Sequence, residues 1–475
     1  MRVAFVAAEL APHAQVGGLG DVARWLPASL AALGDDVRVF VPHYDVFDPA
    51  GLSISPVPDM NDVPIGSLGS VKVSQLGEPG PGQPTIYLIG AEQWFERGTV
   101  YTTEPDEHFR FAALSRAVVE VCDRLEWMPQ LVHANDWHTA LLPLHLRAAG
   151  DRWAEVPVVL TIHNLAYQGW FPQEDLARMD LGSTEPAAAV LDSGRVNSLG
   201  TGIRTASTVT TVSPTFAKEI TEPRFGFGLD GDLRARGDQL IGILNGIGPD
   251  WDPESDRLIP HPYSSPLGKA PNTEALRAQM GLAPQAGVPI LGIVSRLDRQ
   301  KGFELMRSSI PPLLDGRRAQ LAVLGTGDSA LRAMFVGLSK QFPGWAAYEH
   351  RFDPELAHLI EAGSDVFLMP SQFEPCGLNQ MYSMKYGTVP VVHRVGGLAD
   401  TVTQWDPNNG TGTGFAFDEF SEAGFLAAVE SALDAYKERT DWVRLMSNGM
   451  KSDFSWSRRA AEYRLAYAAA VDPGV

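Results

Sequence analysis

Glu374 lies in Pro370-Ser-Gln-Phe-Glu-Pro-Cys-Gly-Leu-Asn-Gln-Met-Tyr-Ser-Met-Lys-Tyr-Gly387, where an apolar run gives way to a polar loop and then to helical spacing. The run before it, Asp365-Val-Phe-Leu-Met369, reads as a buried parallel strand. Pro375 fixes the turn, Gly377 lets a ligand approach the backbone, and Leu378, Met381, Tyr382 and Met384 begin a helix. A carboxylate outside the carboxyl end of a strand accepts hydroxyl hydrogens, and the free N–H groups of a helix start meet a hydroxyl or a phosphoryl oxygen. That combination suits a hexose. A helix cap at Glu374 and a small core residue at Cys376 explain the same stretch taken alone, so the rest of the chain must weigh in.

A second constellation is Ser295-Arg-Leu-Asp-Arg-Gln-Lys-Gly302, which follows another apolar run. Arg296 and Lys301 stand where a strand hands over to a helix, the arrangement of a diphosphate clamp. The chain carries 57 acidic against 38 basic residues, a net charge of −19, so an anionic ligand depends on a few local cations. The same balance opposes binding to nucleic acid or to an anionic membrane surface. Asp136 and His163 also fall at strand ends. His133 and His138 lack a carboxylate third partner at ligand spacing, and Asp230-Gly-Asp232 reads as a surface turn in a Gly-rich loop, so no metal is expected.

The elements that must position these residues form two successive α/β series. The first opens on Arg2-Val-Ala-Phe-Val-Ala-Ala8, passes the glycine turn of Val16-Gly-Gly-Leu-Gly-Asp21 into a helix over 22–33, and returns as the strand Asp36–Val41. Residues 44–105 read as inserted hairpins and loops, and His108–Leu125 as a helix. Strands follow at Leu131–His138, Val156–His163, Thr208–Ser213 and Leu240–Asn245. Residues 245–289 read as linker with one helix, Thr273–Met280. The second series has strands at Ile290–Ser295, Gln320–Gly325, Asp365–Met369 and Val389–His393. The expectation is an α/β chain of two doubly wound domains facing across a cleft lined by strand-end loops. Two cysteines, Cys122 and Cys376, make no disulfide framework and suit a reducing compartment. No run reaches the roughly 18 to 20 apolar residues of a membrane span, and no leader precedes the first strand, so a soluble cytoplasmic protein is expected.

Val16–Asp21, His133-Ala-Asn-Asp-Trp-His138, Thr161-Ile-His-Asn-Leu-Ala-Tyr-Gln-Gly169, Asn245-Gly246, Ser295–Gly302, Phe373–Gln380, Gly396-Gly-Leu-Ala-Asp400 and the final Asp453-Phe-Ser-Trp456 stand in the order seen in bacterial glycogen synthases and plant starch synthases. The chain resembles that family over almost its whole length. The resemblance implies the GT-B fold, with an N-terminal Rossmann-like domain over 1–247 on the glucan side, a C-terminal one over 248–455 on the donor side, and a last helix, about 456–475, packing back on the first. It implies transfer of glucose from ADP-glucose or UDP-glucose to the non-reducing 4-hydroxyl of an α-1,4-glucan such as glycogen, with retention and without a metal or other cofactor. Arg296 and Lys301 would hold the diphosphate, Glu374 the sugar hydroxyls, and the backbone of Cys376, Gly377 and Leu378 the glucose. His163 would lie beside the anomeric carbon, with Asp136 in the same catalytic set. Gln15, Gly17, Gly18, Asp21 and Asn245 would complete the donor lining. Gln15 departs from the family, which commonly has Lys there. A glucan phosphorylase, needing a lysine-bound pyridoxal phosphate, and a non-catalytic glucan-binding paralogue are the competing readings.

Overall fold

Runs such as Val3-Ala-Phe-Val6 and Val158-Val-Leu-Thr-Ile162 are buried at every position, the pattern of parallel strands covered on both faces. A computed structural model describes residues 1–47, 52–182 and 189–472. Its contacts divide the chain into two compact units, Met1–Gly246 with Ser455–Val475, and Ile247–Phe454.

The first unit is built on seven parallel strands: β1 (Arg2–Val6), β2 (Asp36–Pro42), β3 (Thr85–Gly90), β4 (Leu131–Asn135), β5 (Val158–Ile162), β6 (Thr208–Thr211) and β7 (Leu240–Gly242). Their order is β7-β6-β5-β4-β1-β2-β3, so the winding reverses between β1 and β4. Antiparallel strands Ser70–Leu76, Ile54–Pro56 and Val63–Pro64 extend the β3 edge. Helix α1 (Gly18–Ala32) follows the glycine turn, and the last helix, Trp456–Val471, packs against it.

The second unit repeats the plan with β8 (Ile290–Val294), β9 (Gln320–Leu324), β10 (Ala346–Glu349), β11 (Val366–Met369), β12 (Val389–His393) and β13 (Phe415–Phe417). All are parallel, in the order β10-β9-β8-β11-β12-β13. Two doubly wound sheets are thus present, as the sequence pattern leads one to expect.

Several local expectations change. Thr85–Gly90 forms the expected hairpin with Ser70–Leu76, and it is also β3 of the main sheet, paired in parallel with β2, with Tyr87, Leu88 and Ile89 buried. Of residues 44–105, 48–51 lie outside the described residues. The stretch 245–289 is not a free linker: helix Ala270–Met280 packs on Pro354–Gly363, and Ile259 and Tyr263 join a buried cluster with Ala362 and Tyr386. Asp230 and Asp232 open a short helix, Asp230–Ala235, rather than a loop, and their carboxylates pair with Arg234 and Arg204. Strands β10 and β13, and a small antiparallel sheet of Trp170–Pro172, Arg195–Asn197 and Val190–Asp192, have no counterpart in the sequence reading, being only three or four residues each.

Candidate active site

In the second unit the winding reverses between β8 and β11, and the loops leaving those two strands are Ser295–Gly302 and Pro370–Leu378. Open α/β sheets bind ligands in the crevice at such a point. Lys301 Nζ donates to Glu374 Oε2 at 2.7 Å, and Ser371 Oγ donates to the same oxygen at 2.9 Å. Both bonds fall on Oε2, which leaves Oε1 to accept from a ligand. Glu374 is therefore no helix cap: helix α2 (Asn379–Lys385) starts five residues later with Leu378 as its cap residue. With only seven residues in α2, its dipole adds little, and the field at the loop comes from side-chain charge.

The loops are welded together by backbone and glycine. Gln372 N–H donates to Gln300 carbonyl at 2.8 Å, and Gln300 Nε2 to Phe373 carbonyl at 3.2 Å. Gly302 has φ +69, and a Cβ there would sit 2.0 Å from Pro370 carbonyl oxygen. Gly396 and Gly397 pass equally close to Glu374 and Cys376 carbonyls, and Gly397 N–H donates to Glu374 carbonyl at 3.1 Å. Buried Gln380 donates through Nε2 to the Cys376 and Gly377 carbonyls, at 3.1 and 3.0 Å, which fixes the peptide planes of the Cys376–Leu378 turn. The Cys376 thiol is buried. Arg296 is exposed, and among the described residues its guanidinium has no ion pair, so a cation stands ready at the end of β8. It borders an open depression shared with Thr326, Gly327 and Asp328.

In the first unit the reversal lies between β1 and β4, and β1 leads to Glu9 and Gln15–Asp21, β4 to Asp136. Buried Glu9 accepts from the Val16 and Gly17 N–H groups, both at 2.9 Å, and from Tyr101 Oη at 2.6 Å. The Gly17-Gly18 turn is thus shaped around an internal carboxylate. Gln15 Nε2 donates to Asp21 Oδ2 at 2.8 Å and to Gly17 carbonyl at 3.2 Å. Asp136, at φ +55, accepts from His163 N–H at 2.7 Å and Asn164 N–H at 3.3 Å. His163 Nε2 bonds Asn135 Oδ1 at 2.9 Å, while Asn135 Nδ2 donates to Val6 carbonyl on β1. Asp136 and His163 are therefore one assembly. Burial pushes the Asp136 carboxyl up to about 7, helped by Glu9, against the two N–H bonds that favour its anion. Burial alone holds the His163 ring down to about 3, hence neutral. Asn245 is buried, with no hydrogen bond to its Oδ1 among the described residues.

His133 and His138 are spent in packing. His133 bonds Tyr467 Oη and Thr161 Oγ1, each at 2.6 Å, and His138 stacks on Tyr101. Among the described residues no three His, Cys, Asp or Glu side chains converge as metal ligands. Glu9, Tyr101, Ser371 and Gln380 escape sequence reasoning: Glu9 and Tyr101 meet only across the fold, while Ser371 and Gln380 bond Glu374 and the Cys376 and Gly377 carbonyls three or four residues away, contacts that depend on how the loop turns. Phe352 also escaped it: it follows β10 and is 91% exposed, a large apolar ring without cover.

Residues 2–235 match the family described as the starch synthase catalytic domain, and residues 279–445 match glycosyl transferases group 1. The chain is 41% identical to a glycogen synthase of Anaeromyxobacter sp. (strain Fw109-5), covering 100% of both chains, and 39% identical to one of Geotalea uraniireducens (strain Rf4), covering 99% of both. Among solved structures, the catalytic domain of Starch Synthase IV from Arabidopsis thaliana, bound to ADP and acarbose, superposes with a TM-score of 0.89 at 32% identity, covering 99% of each chain. Sucrose-phosphate synthase from Thermosynechococcus elongatus, at TM-score 0.61 and 20% identity over 98% of this chain and 99% of that one, shares the fold. With two doubly wound sheets, their strand-end loops and full-length identity near 40% in agreement, the chain belongs to the glycogen synthase and starch synthase family of GT-B glycosyltransferases.

Proposed function

We propose that the protein is a glycogen synthase that transfers glucose from ADP-glucose, or from UDP-glucose, to the non-reducing 4-hydroxyl of an α-1,4-glucan with retention of configuration. The observation that carries this reading is the convergence of Lys301 and Glu374, beside the unpaired Arg296, at the winding reversal of the second unit. Arg296 and Lys301 neutralise the diphosphate, Glu374 Oε1 accepts sugar hydroxyls, and the Cys376–Leu378 backbone holds the glucose. Phe352, past the end of β10, offers a flat apolar face to the base.

In the reaction, the bond from the anomeric carbon to the phosphate oxygen breaks and a bond to the acceptor O4 forms on the same face. The leaving phosphate oxygen takes the O4 proton. Charge grows on the diphosphate as the bond opens, so fixed cations lower the barrier. The two cations supply that charge without a metal. Neutral His163, held by Asn135, and Asp136 form the polar wall beside the anomeric carbon. By the family resemblance, Gln15, Gly17, Gly18, Asp21 and Asn245 are assigned to nucleotide-sugar binding, and the first unit to the glucan.

Purified protein should release ADP from ADP-glucose, or UDP from UDP-glucose, in the presence of glycogen, and add α-linked glucose visible by NMR. Failure to extend glycogen from either donor would refute the assignment.

A further inference from the structure

Behind the donor loops lies a buried polar network that the reaction does not use. Glu361, 1% exposed, sits in the helix Pro354–Gly363. Its Oε2 accepts from Ser383 Oγ at 2.6 Å and its Oε1 from Asn379 Nδ2 at 3.3 Å. Asn379 and Ser383 are four apart on α2, so one carboxyl grips one face of that helix. Asn379 Nδ2 also donates to Val294 carbonyl, the last residue of β8, at 3.2 Å. Beneath them, fully buried Lys269 donates from Nζ to the Glu361, Ala362 and Tyr386 carbonyls at 2.9, 2.7 and 3.2 Å. The ammonium thereby closes the carboxyl ends of both helices.

The Asn379 amide joins two parts of the site that no other side chain in this network spans. Val294 immediately precedes the loop of Arg296 and Lys301, and Asn379 immediately follows the turn of Cys376, Gly377 and Leu378. We propose that Asn379, braced by Glu361, is a positioning residue for the donor diphosphate, fixing the distance between the cation loop and the Cys376–Leu378 turn. The inference rests on the donor site assigned above. An interaction that sets this spacing acts on donor affinity and leaves acceptor binding alone, whereas one that only stabilises the fold shows no such selectivity.

Ser383 provides the control, since it bonds the same carboxyl but makes no bond to β8. Burial pushes the Glu361 carboxyl up to about 8, so Gln matches it in shape and in charge at neutral pH. The experiment is calorimetric titration of the full-length chain with ADP, together with donor and glycogen KM. Asn379→Ala and Glu361→Ala should each weaken ADP binding and raise donor KM by about tenfold, with glycogen KM unchanged. Glu361→Gln should restore ADP affinity, and Ser383→Ala should keep it while lowering Tm. Asn379→Ser, too short to span both partners, should reproduce the alanine shift if that variant does not fold. Wild-type-like ADP affinity in the Asn379 variants, or equal weakening in Ser383→Ala, overturns the positioning role alone. A wild-type chain that binds neither ADP nor UDP overturns the donor site as well.

Discussion

Asp136 is a carboxyl group held where its anion is costly, and this makes its contribution to stability depend on pH. Its folded pKa, about 7, stands above the ordinary 3.8, so the folded chain keeps a proton that the unfolded chain releases. That stabilisation is complete below about pH 4 and is lost as pH rises through 7, a change of at most about 4 kcal/mol. Asp136→Asn removes the titration and keeps an oxygen for the His163 N–H. Its Tm should rise relative to wild type between pH 5 and 8, and a constant gap across that range would contradict the burial argument. Gln15 bears on charge in another way, since its amide is engaged with Asp21 and brings no cation. Gln15→Lys should lower donor KM by a few-fold, because one added cation in an acidic chain favours a diphosphate. An unchanged KM would place residue 15 outside the donor's reach. The types of Arg296, Lys301 and Glu374 suggested a diphosphate and sugar site from the sequence alone. The Glu9 clasp of the Gly17 turn was not legible there, because Tyr101, its partner, lies far along the chain.

At the scale of elements, the donor loops hold their shape through glycines whose missing Cβ lets backbone meet backbone. Gly302 combines a left-handed φ with a Cβ position 2.0 Å from Pro370 carbonyl. Gly302→Ala should cost about 3 kcal/mol or more and abolish ADP binding, read by denaturant unfolding and titration. Gly281→Ala, also at positive φ but with open space around it, should cost only about 1 kcal/mol. Similar losses in the two variants would show that the loop contact is unimportant. Most long strands and helices were legible because apolar runs and helical spacing persist over several turns or pleats. Strand β3 was legible as one arm of a hairpin but not as a member of the main sheet, because its parallel partner β2 lies far along the chain, and β10 and β13 are too short to show a period.

Across the whole molecule, the chain leaves the first unit at Gly246 and re-enters it at Ser455. The final helix, Trp456–Val471, buries Trp456, Ala460, Tyr463, Ala466 and Tyr467 in the first unit's core, where Tyr467 meets His133. Truncation after Phe454 should expose that core and lose the His133 bond. Early unfolding of the first unit, seen as lost hydrogen-exchange protection in β1 and β4, is the expected result, and wild-type protection there would refute it. The sequence by itself determined the alternation of strand and helix, the acidic balance that makes each cation count, and the residue types fit to meet a sugar diphosphate. These follow from local periodicity and side-chain chemistry, which need no knowledge of distant partners. Only the tertiary structure decided that β8 lies beside β11, that Lys301 therefore pairs with Glu374, and that Asn379 ties the two loops together. Strand order is set by long-range packing and winding, which no local run of residues encodes.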